Sequence, residues 1–361
     1  MTANLGHILE KAKNYEELTR EELARIISPA DDGERLEIRA AAREMRGRHS
    51  GELIFTYGFV YLSTYCRNDC RFCAYRRTNS RARRYRKDKD EVFRAAERLA
   101  RQGVNLIDLT MGEDPASDEP AFIDQTAGLI EGVRGVCGLP VMISPGLASR
   151  AALTRYKKAG ADWYACYQET HNPALFSRLR QGQDYGERRR AKTAALETGL
   201  LVEEGVLCGV GETAEDLADS ILAMKRLGAG QVRAMGFIPP AEARGDVSGR
   251  WAGSPGPGRA QAREVDMIAA LRLALPDRLI PASLDVEGLA GLPERLMAGA
   301  NVVTSLVPSD MALAGVAQAS LDIDNEARSV KGVRPAVEAA GLKLASAGEY
   351  RGWLNQARPA A

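Results

Sequence analysis

The chain has 361 residues, of which 45% are hydrophobic and 27% charged, and its formal net charge is +1. This length suits one large domain or two ordinary ones, and the balanced charge gives no reason to expect nucleic acid or an anionic membrane surface as a partner. No segment approaches the roughly 18 uninterrupted apolar residues of a membrane span. The N-terminus also lacks the basic and apolar regions of a signal peptide. We therefore expect a cytoplasmic protein that binds a small molecule.

The first 50 residues contain two segments with helical periodicity, NYEELTREELARI and ERLEIRAAAREMRGR. Neither is preceded by a strand-like segment. Residues 1–50 are therefore predicted to form a helical extension that lies outside the main domain, against its base or side.

From Leu53 onward, short apolar or β-branched segments alternate with longer segments of helical period, which predicts βα units and a parallel sheet. The eight predicted strands are residues 59–64, 105–111, 139–145, 162–169, 202–210, 231–237, 278–285 and 301–307. Eight such units predict an α/β fold of the (βα)8 TIM-barrel type over residues 51–310. An active site would then lie at the C-terminal ends of the strands.

Two regions fall outside the regular alternation. Residues 245–261, GDVSGRWAGSPGPGRAQ, are rich in Gly, Pro and Ser and predict a flexible loop after strand six. Residues 311–361 are predicted to pack on the barrel as a C-terminal segment with one helical stretch near VKGVRPAVEAAG.

Three cysteines, Cys66, Cys70 and Cys73, lie in one short segment, STYCRNDCRFCAY. Soft thiolates from a single loop can bind three irons of a [4Fe-4S] cluster. The fourth iron then lacks a protein ligand and is open to a cofactor or substrate. A structural zinc site is the alternative, but such sites normally close with four ligands, and no second cysteine pair follows.

The other three cysteines, Cys137, Cys166 and Cys208, lie in or beside apolar segments. They are predicted to be small buried side chains. A disulfide framework is not expected in a reducing compartment.

The cysteine spacing, the aromatic Phe72 before Cys73, and the position after the first predicted strand resemble the signature of the radical S-adenosylmethionine (SAM) superfamily. In that superfamily the amino and carboxylate groups of SAM bind the unique iron, and electron transfer cleaves SAM to a 5′-deoxyadenosyl radical. The resemblance implies a [4Fe-4S] cluster and SAM as cofactors. It also implies an external one-electron donor such as flavodoxin or ferredoxin.

Polar side chains interrupt several predicted strands. Asp108 lies within an apolar strand, where a carboxylate needs a partner, so it serves either a structural hydrogen-bond network or a substrate ammonium group. Ser283 and Asp285 share one face of their strand by period two, and Arg233 lies on the same side as its apolar neighbours. In a barrel these side chains would converge on an amino acid, with Arg233 binding the carboxylate.

A second polar group follows the exits of other strands. Glu169 suits ribose hydroxyls or an amino group, and the later Arg180 and Arg188 suit a carboxylate; surface salt bridges are the alternative for the arginines. The set predicted to bind the cofactor is Gly112, Glu113, Ser144, Glu169, Arg180 and Arg188. The run RRTNSRARRYRKDKD, after the cysteines, predicts a solvated loop or an anion-steering patch.

Five motifs in order, DLTMGEDP, VMISPGL, YQETHNP, LIPASLDVEGL and AGANVVTS, resemble the 3-methylornithine synthase family. The resemblance extends over residues 59–308. It implies conversion of L-lysine to (3R)-3-methyl-D-ornithine, the first step of pyrrolysine biosynthesis. Hydrogen removal from lysine would be followed by cleavage into a glycyl radical and an aminobutene, which rejoin as a branched chain.

The same resemblance implies roles for individual residues. The cysteines match the cluster ligands, and Asp108, Arg233, Ser283 and Asp285 match the positions that hold the amino acid. Glu169 and Arg188 correspond to SAM contacts in the wider group that includes biotin synthase and the hydrogenase maturase.

Two alternatives stay open at this point. One is a radical SAM enzyme of the biotin synthase or hydrogenase-maturase type that acts on another small substrate. The other is a non-catalytic iron or zinc sensor. The chain also departs from the family in its long loop after strand six and in its denser arginine run, and either difference affects the cover over the substrate.

Overall fold

The fold is a parallel barrel, as predicted. The computed structural model describes residues 4–239, 257–308, 322 and 327–357. Its barrel strands are β1 Leu53–Ser63, β2 Leu106–Met111, β3 Val141–Ser144, β4 Trp163–Ala165, β5 Leu201–Cys208, β6 Gln231–Gly236, β7 Pro281–Ser283 and β8 Val302–Leu306. They run in the order β6-β5-β4-β3-β2-β1-β8-β7.

The barrel closes between β6 and β7 at the base. A single parallel bridge joins Gln231 to Leu279, and the Val232 N–H donates to the Leu279 carbonyl at 2.9 Å. No ladder joins the two strands above that bridge in the described residues. The barrel is therefore nearly closed, and the open seam lies toward the C-terminal ends of the strands.

Helices surround the strands because both faces of a parallel sheet must be covered. The helices that follow strands are α4 Lys89–Gln102, α5 Pro120–Cys137, α6 Arg150–Lys158, α7 Pro173–Leu179, α8 Tyr185–Glu197, α9 Ala214–Leu227, α10 Pro257–Ala274 and α11 Leu292–Met297. Their ends carry strong local signals: α4 begins with a capping box between Asp88 and Glu91 and ends at Gly103 in the left-handed conformation.

The N-terminal extension contains three helices rather than the predicted two, Leu5–Lys13 (α1), Arg20–Ile27 (α2) and Asp32–Ser50 (α3). The predicted first helix was wrong in its bounds because the chain reverses at Tyr15, whose φ is 62°. Helix α2 then starts at a Thr19 capping box. Helix α2 packs on α9 and α3 on α10, so the extension covers one side of the barrel.

The base of the barrel is covered by the C-terminal segment, which contains α12 Val330–Ala339, β9 Lys343–Leu344 and α13 Ala347–Ala357. Strand β9 pairs with the start of β1. From α13, the Tyr350 hydroxyl lies 2.9 Å from that of Tyr57, and Trp353 stacks on Trp163 with centroids 5.9 Å apart. The prediction of a single helical stretch was wrong, because a two-residue strand carries no periodicity and α13 has a weak apolar pattern.

Strand β4 is shorter than predicted and ends at Ala165, not Glu169. The chain leaves the sheet there, and Glu169 adopts a left-handed φ of 69°. Residues 245–256 of the predicted loop lie outside the described residues. Residues 257–261, also predicted as loop, belong to helix α10, which begins at Pro257.

Candidate active site

The residues predicted from strand ends meet in one cavity at the C-terminal end of the barrel. The predicted residues that line it are Cys66, Cys70, Cys73, Asp108, Gly112, Glu113, Ser144, Glu169, Arg180, Arg188, Arg233 and Asp285. Ser283 is the exception among the predicted set: it is buried just beneath the cavity wall. Cys166, predicted only as a buried side chain, also lines the cavity, whereas Cys137 is half-buried rather than buried as predicted.

The cysteine loop follows β1 and is held by backbone hydrogen bonds from two sides. The Arg67 N–H donates to the Glu113 carbonyl at 2.8 Å, and the Arg71 N–H donates to the Leu179 carbonyl at 2.9 Å. The Arg84 guanidinium donates to the carbonyls of Tyr75 at 2.9 Å and Arg76 at 2.7 Å. Part of the arginine run is therefore structural, because it closes the loop that carries the thiols.

The three thiols predicted to hold an iron-sulfur cluster all line the same cavity. Burial raises the pKa of Cys66 and raises that of Cys73 to about 12. Loading of the site must therefore displace thiol protons.

Donors from the α7–α8 region point at one of these sulfurs. Gln183 Nε2 lies 3.0 Å and Arg180 Nη1 lies 3.5 Å from Cys70 Sγ. Hydrogen bonds to ligand sulfurs stabilise thiolate charge and tune the potential of a bound cluster. This is the pattern expected around cluster ligands, and Gln183 was not predicted.

Gly112 lets the cysteine loop approach the end of β2. A Cβ at this position would lie 2.3 Å from the Tyr65 carbonyl oxygen and 3.0 Å from Cys66 Cβ. Any side chain would push the loop away from β2. Gly112 therefore has a structural role, close packing beneath the first cysteine, and its predicted contact with the cofactor stays a prediction.

Glu169 and Arg180 form a buried pair next to the cysteines. Arg180 Nη2 lies 2.6 Å from Glu169 Oε1, while Glu169 Oε2 has no hydrogen-bond partner among the described residues. Burial raises the pKa of Glu169, and the nearby Arg180 opposes this shift. A left-handed φ at a non-Gly residue is strained, and here backbone hydrogen bonds to Gly205 at 3.0 Å and from Leu207 at 2.9 Å hold it. The unpaired oxygen is available to a donor on a ligand.

Glu113 belongs to a second charged group that lines the same cavity. Its carboxylate accepts from Arg67 Nε at 2.8 Å and from the Leu147 N–H at 2.9 Å, and Arg188 Nη1 lies 3.5 Å away. Burial alone would raise the pKa of Glu113, but Arg188 and these donors lower it. Glu113 is therefore ionised, and Arg67 is an unpredicted member of this group.

Asp108 lies deeper in the barrel and accepts a hydrogen bond from the Ser144 hydroxyl at 2.8 Å. Burial, with the nearby negative Glu203, raises the pKa of Asp108 to about 7, although Ser144 and Arg233 act in the opposite direction. Ser144, predicted to contact the cofactor, here orients this inner carboxylate. Asp108 was predicted to serve either a structural hydrogen-bond network or a substrate ammonium group. It accepts a structural hydrogen bond from Ser144, and it also lines the cavity, where it can reach a ligand.

Arg233 is a fully buried cation in the middle of the barrel. Its Nε lies 2.7 Å from Glu203 Oε1, and Nη1 donates to the Thr304 hydroxyl at 3.0 Å. Burial alone would lower the pKa of Arg233, but Glu203 raises it above the usual range. Its Nη2 has no hydrogen-bond partner within the described ranges, so one charged donor is left over for a ligand.

Asp285 is held by an arginine that was not predicted. Arg328 Nη1, from the segment before α12, lies 2.9 Å from Asp285 Oδ1. The Asp285 N–H donates to the Ser283 hydroxyl at 3.3 Å, so Ser283 supports Asp285 and is not itself exposed to the cavity.

Three unpredicted residues of the site differ in how far the sequence could have revealed them. Glu203 stands in the apolar strand VEEGVLC, and the argument applied to Asp108 would also have selected it. Thr304 faces Arg233 because β8 bulges at this point, where Ser305 has φ 67°. Arg328 lies far along the chain from Asp285, and no periodicity connects the two.

Comparison with known proteins places these features in a family. A model described as "Radical SAM superfamily" matches residues 60–224. The 3-methylornithine synthase of Methanosarcina acetivorans is 37% identical over 350 residues, covering 97% of both chains. A crystal structure of methylornithine synthase superposes with a TM-score of 0.84 at 35% identity, covering 96% of this chain and 99% of the other. This chain belongs to the 3-methylornithine synthase family.

More distant relatives are similar in sequence over most of the chain. The hydrogenase maturase subunit HydE of Thermotoga maritima is 29% identical over 305 residues, covering 82% of each chain. Membership of the 3-methylornithine synthase family makes the chain a radical SAM enzyme, for which an iron-sulfur cluster, SAM and a small-molecule substrate are implied. None of the described helices is long and apolar enough to cross a membrane.

We predict that Gly112→Ala reduces cluster loading, because the added methyl group would lie 2.3 Å from the Tyr65 carbonyl oxygen. The measurement is iron per chain after anaerobic reconstitution. Gly135→Ala is the matched control, since a Cβ there meets nothing within 4 Å. Equal iron content in the two variants would contradict the prediction.

We also predict a pH-dependent stability difference between the wild type and Asp108→Asn. The ordinary pKa of this carboxyl is 3.8 and burial raises it to about 7, so between these values the folded state holds a proton that the unfolded state releases. The wild type should lose up to about 4 kcal/mol of unfolding free energy relative to the variant as pH rises from about 4 to about 7. Urea unfolding across this range measures the difference, and parallel pH profiles would refute the assignment.

Proposed function

We propose that this enzyme converts L-lysine to (3R)-3-methyl-D-ornithine by radical fragmentation and recombination. The observation that carries the proposal is the composition of the cavity. Besides the three cysteines and the charged side chains of Glu113, Glu169, Arg180 and Arg188, it is lined by Arg233, Asp108 and Asp285. Arg233 Nη2 has no hydrogen-bond partner among the described residues, and this last group of one cation and two carboxylates is the set proposed for the substrate. A diamino acid has one carboxylate and two ammonium groups, which is the complementary set of charges.

In this proposal Cys66, Cys70 and Cys73 hold a [4Fe-4S] cluster, and Glu169 and Arg188 bind SAM. When bound, the cluster and SAM supply a carbon radical that removes a hydrogen atom from the substrate. The free Oε2 of Glu169 suits the ammonium group or a ribose hydroxyl of SAM. The buried Arg188 suits the carboxylate of SAM, since its guanidinium lies 3.5 Å from Glu113 and keeps its charge.

The substrate would lie deeper, beyond this group. Arg233 Nη2 binds the lysine carboxylate, and the carboxylates of Asp108 and Asp285 bind the two ammonium groups. An ammonium ion beside Asp108 favours the ionised form and lowers the pKa from about 7. Lysine binding would therefore release the Asp108 proton near neutral pH.

The two fragments of a cleaved amino acid must keep their relative positions until they rejoin. The side chains that hold the two charged ends are almost fully buried, at 2% exposure for Asp108 and Arg233 and 7% for Asp285. Asp108 and Arg233 lie on β2 and β6, and Asp285 follows directly after β7, so the barrel fixes their spacing. Such a closed polar site keeps water away from the radical fragments.

The electron needed to start the reaction would come from an external carrier such as flavodoxin or ferredoxin. We place the reaction in the cytoplasm, where thiols stay reduced. All six cysteines of the chain are unpaired, which supports this location.

The direct test is an anaerobic incubation of the reconstituted enzyme with L-lysine, SAM and dithionite, followed by mass spectrometry and chiral chromatography. The proposal expects a branched isomer of lysine with the retention of 3-methyl-D-ornithine. Deoxyadenosine formation without this isomer would instead support a radical SAM enzyme with another substrate.

We predict that Asp285→Asn keeps normal iron content but forms methylornithine at least about 100-fold more slowly, because the amide cannot balance a buried ammonium charge. Asp266→Asn is the control: Asp266 is a buried carboxylate on α10 whose partner, Arg35, lies 3.0 Å away outside the cavity. It should react at the wild-type rate. Wild-type turnover by Asp285→Asn would remove Asp285 from the substrate site.

A further inference from the structure

The loop that carries the cysteines holds a concentration of positive charge. Residues 64–89 contain ten Arg and Lys against two Asp, a net charge of +8, whereas the whole chain has +1. Charge is therefore strongly segregated onto this one loop. A surface of single-sign charge attracts and steers partners of the opposite sign.

Several of these cations have internal partners and need no further explanation. Arg84 binds backbone carbonyls within the loop. Arg86 pairs with Asp114 at 2.8 Å, and Arg67 pairs with Glu113 at 2.8 Å. Arg76 Nη1 donates to the Cys73 carbonyl at 3.2 Å. These four fix the conformation of the loop.

Three other arginines differ from these. The side chains of Arg77, Arg81 and Arg83 are exposed, and none of them forms a hydrogen bond or ion pair within the part of the chain that the structure describes. They do not stabilise the loop, and as like charges close in sequence they repel one another. We call these three residues the arginine surface.

The arginine surface lies directly on the outside of the cysteine loop. The Arg77 N–H donates to the Asn68 carbonyl at 2.8 Å. The Thr78 hydroxyl donates to Asp69 at 2.5 Å, and Asn79 Nδ2 donates to the Ala74 carbonyl at 2.8 Å. The turn that presents the arginines is thus hydrogen-bonded to the residues between and just after the cysteines. A molecule bound here would lie beside the loop that carries the thiols.

We propose that the arginine surface is the docking site for an acidic one-electron carrier protein, of the flavin or iron-sulfur class, which reduces the cluster. This inference rests on the proposed function, because only a redox enzyme needs such a partner. In the transfer one electron leaves the reduced carrier, which is oxidised, and enters the cluster, which is reduced from its 2+ to its 1+ state. No covalent bond forms or breaks, and no proton is transferred.

The electrostatics suit a transient partner. Exposed charges accelerate association and are screened by salt over about 8 to 10 Å. They also leave the complex weak enough to dissociate after each transfer, because exposed ion pairs contribute little affinity individually. Carrier binding should therefore depend strongly on ionic strength.

The test is Arg77→Glu/Arg81→Glu/Arg83→Glu in the cluster-loaded enzyme, with a bacterial flavodoxin as probe. Calorimetry with oxidised flavodoxin at about 50 mM salt should show affinity weakened at least tenfold and a smaller dependence on salt. Stopped-flow bleaching of the cluster by reduced flavodoxin should slow by a similar factor. Reduction by dithionite, a small anion that needs no docking site, should proceed at the wild-type rate at about 1 M salt, where its charge is screened.

The matched control is Lys158→Glu/Arg226→Glu/Arg351→Glu, which reverses three exposed cations on α6, α9 and α13. It makes the same change in net charge away from the cysteine loop and should leave flavodoxin affinity nearly unchanged. Equal weakening by both triple variants, or none by the arginine variant, would overturn the proposal. Tighter binding of a DNA or RNA oligonucleotide than of flavodoxin at about 150 mM salt would also overturn it.

Failure of this inference is distinguishable from failure of the proposed function. If dithionite-reduced enzyme makes no methylornithine from lysine, the proposed substrate is wrong, and flavodoxin binding can still be measured. If methylornithine forms but flavodoxin binds the arginine variant with wild-type affinity, only the proposed docking site is wrong.

Discussion

The ion pair between Arg233 and Glu203 places two buried charges in the middle of the barrel. Burying a cation costs several kcal/mol unless its partners are well placed. Glu203 at 2.7 Å and Thr304 at 3.0 Å offset that cost, yet Nη2 has no hydrogen-bond partner among the described residues. The neighbouring strands fix this arrangement, because Gly205 lies opposite Arg233 in the ladder and a Cβ there would crowd Tyr167 at 3.0 Å. A site that keeps a free charged donor in its interior is prepared for an anionic ligand.

The polar residues around this inner charge form three levels along the cavity, from the cysteine loop toward the middle of the barrel. The thiols and their hydrogen-bond donors lie on the cysteine loop, and the pairs Glu169–Arg180 and Glu113–Arg188 come next. The inner carboxylates and Arg233 form the deepest level. Each level consists of side chains from the strands or from the loops that follow them, which is why side chains distant in sequence share one cavity. The order matches a reaction in which a cofactor lies between a cluster and a zwitterionic substrate.

The fold was predictable because eight buried strands leave a clear apolar pattern and most helices carry caps. The deep carboxylate Asp108 was also predictable, since an acid inside an apolar strand is conspicuous. Glu203 carried the same signal and was missed. Other features depend on tertiary structure alone: Arg328 reaches Asp285 from the C-terminal segment, and α13 covers the barrel base through aromatic contacts. The alternation of side chains along a strand predicted that Ser283 and Asp285 share one face. It gave no information on depth, and Ser283 lies beneath the cavity wall.

The central claim is that the interior charges recognise both ends of a diamino acid. Calorimetry on enzyme that holds its cluster and SAM tests this most directly, by comparing L-lysine with 1,5-diaminopentane, which lacks only the carboxylate. If Arg233 binds that carboxylate, the diamine should bind at least about 30-fold more weakly, because the buried Nη2 donor of Arg233 would be left without an acceptor. Equal affinity for the two compounds would contradict the account.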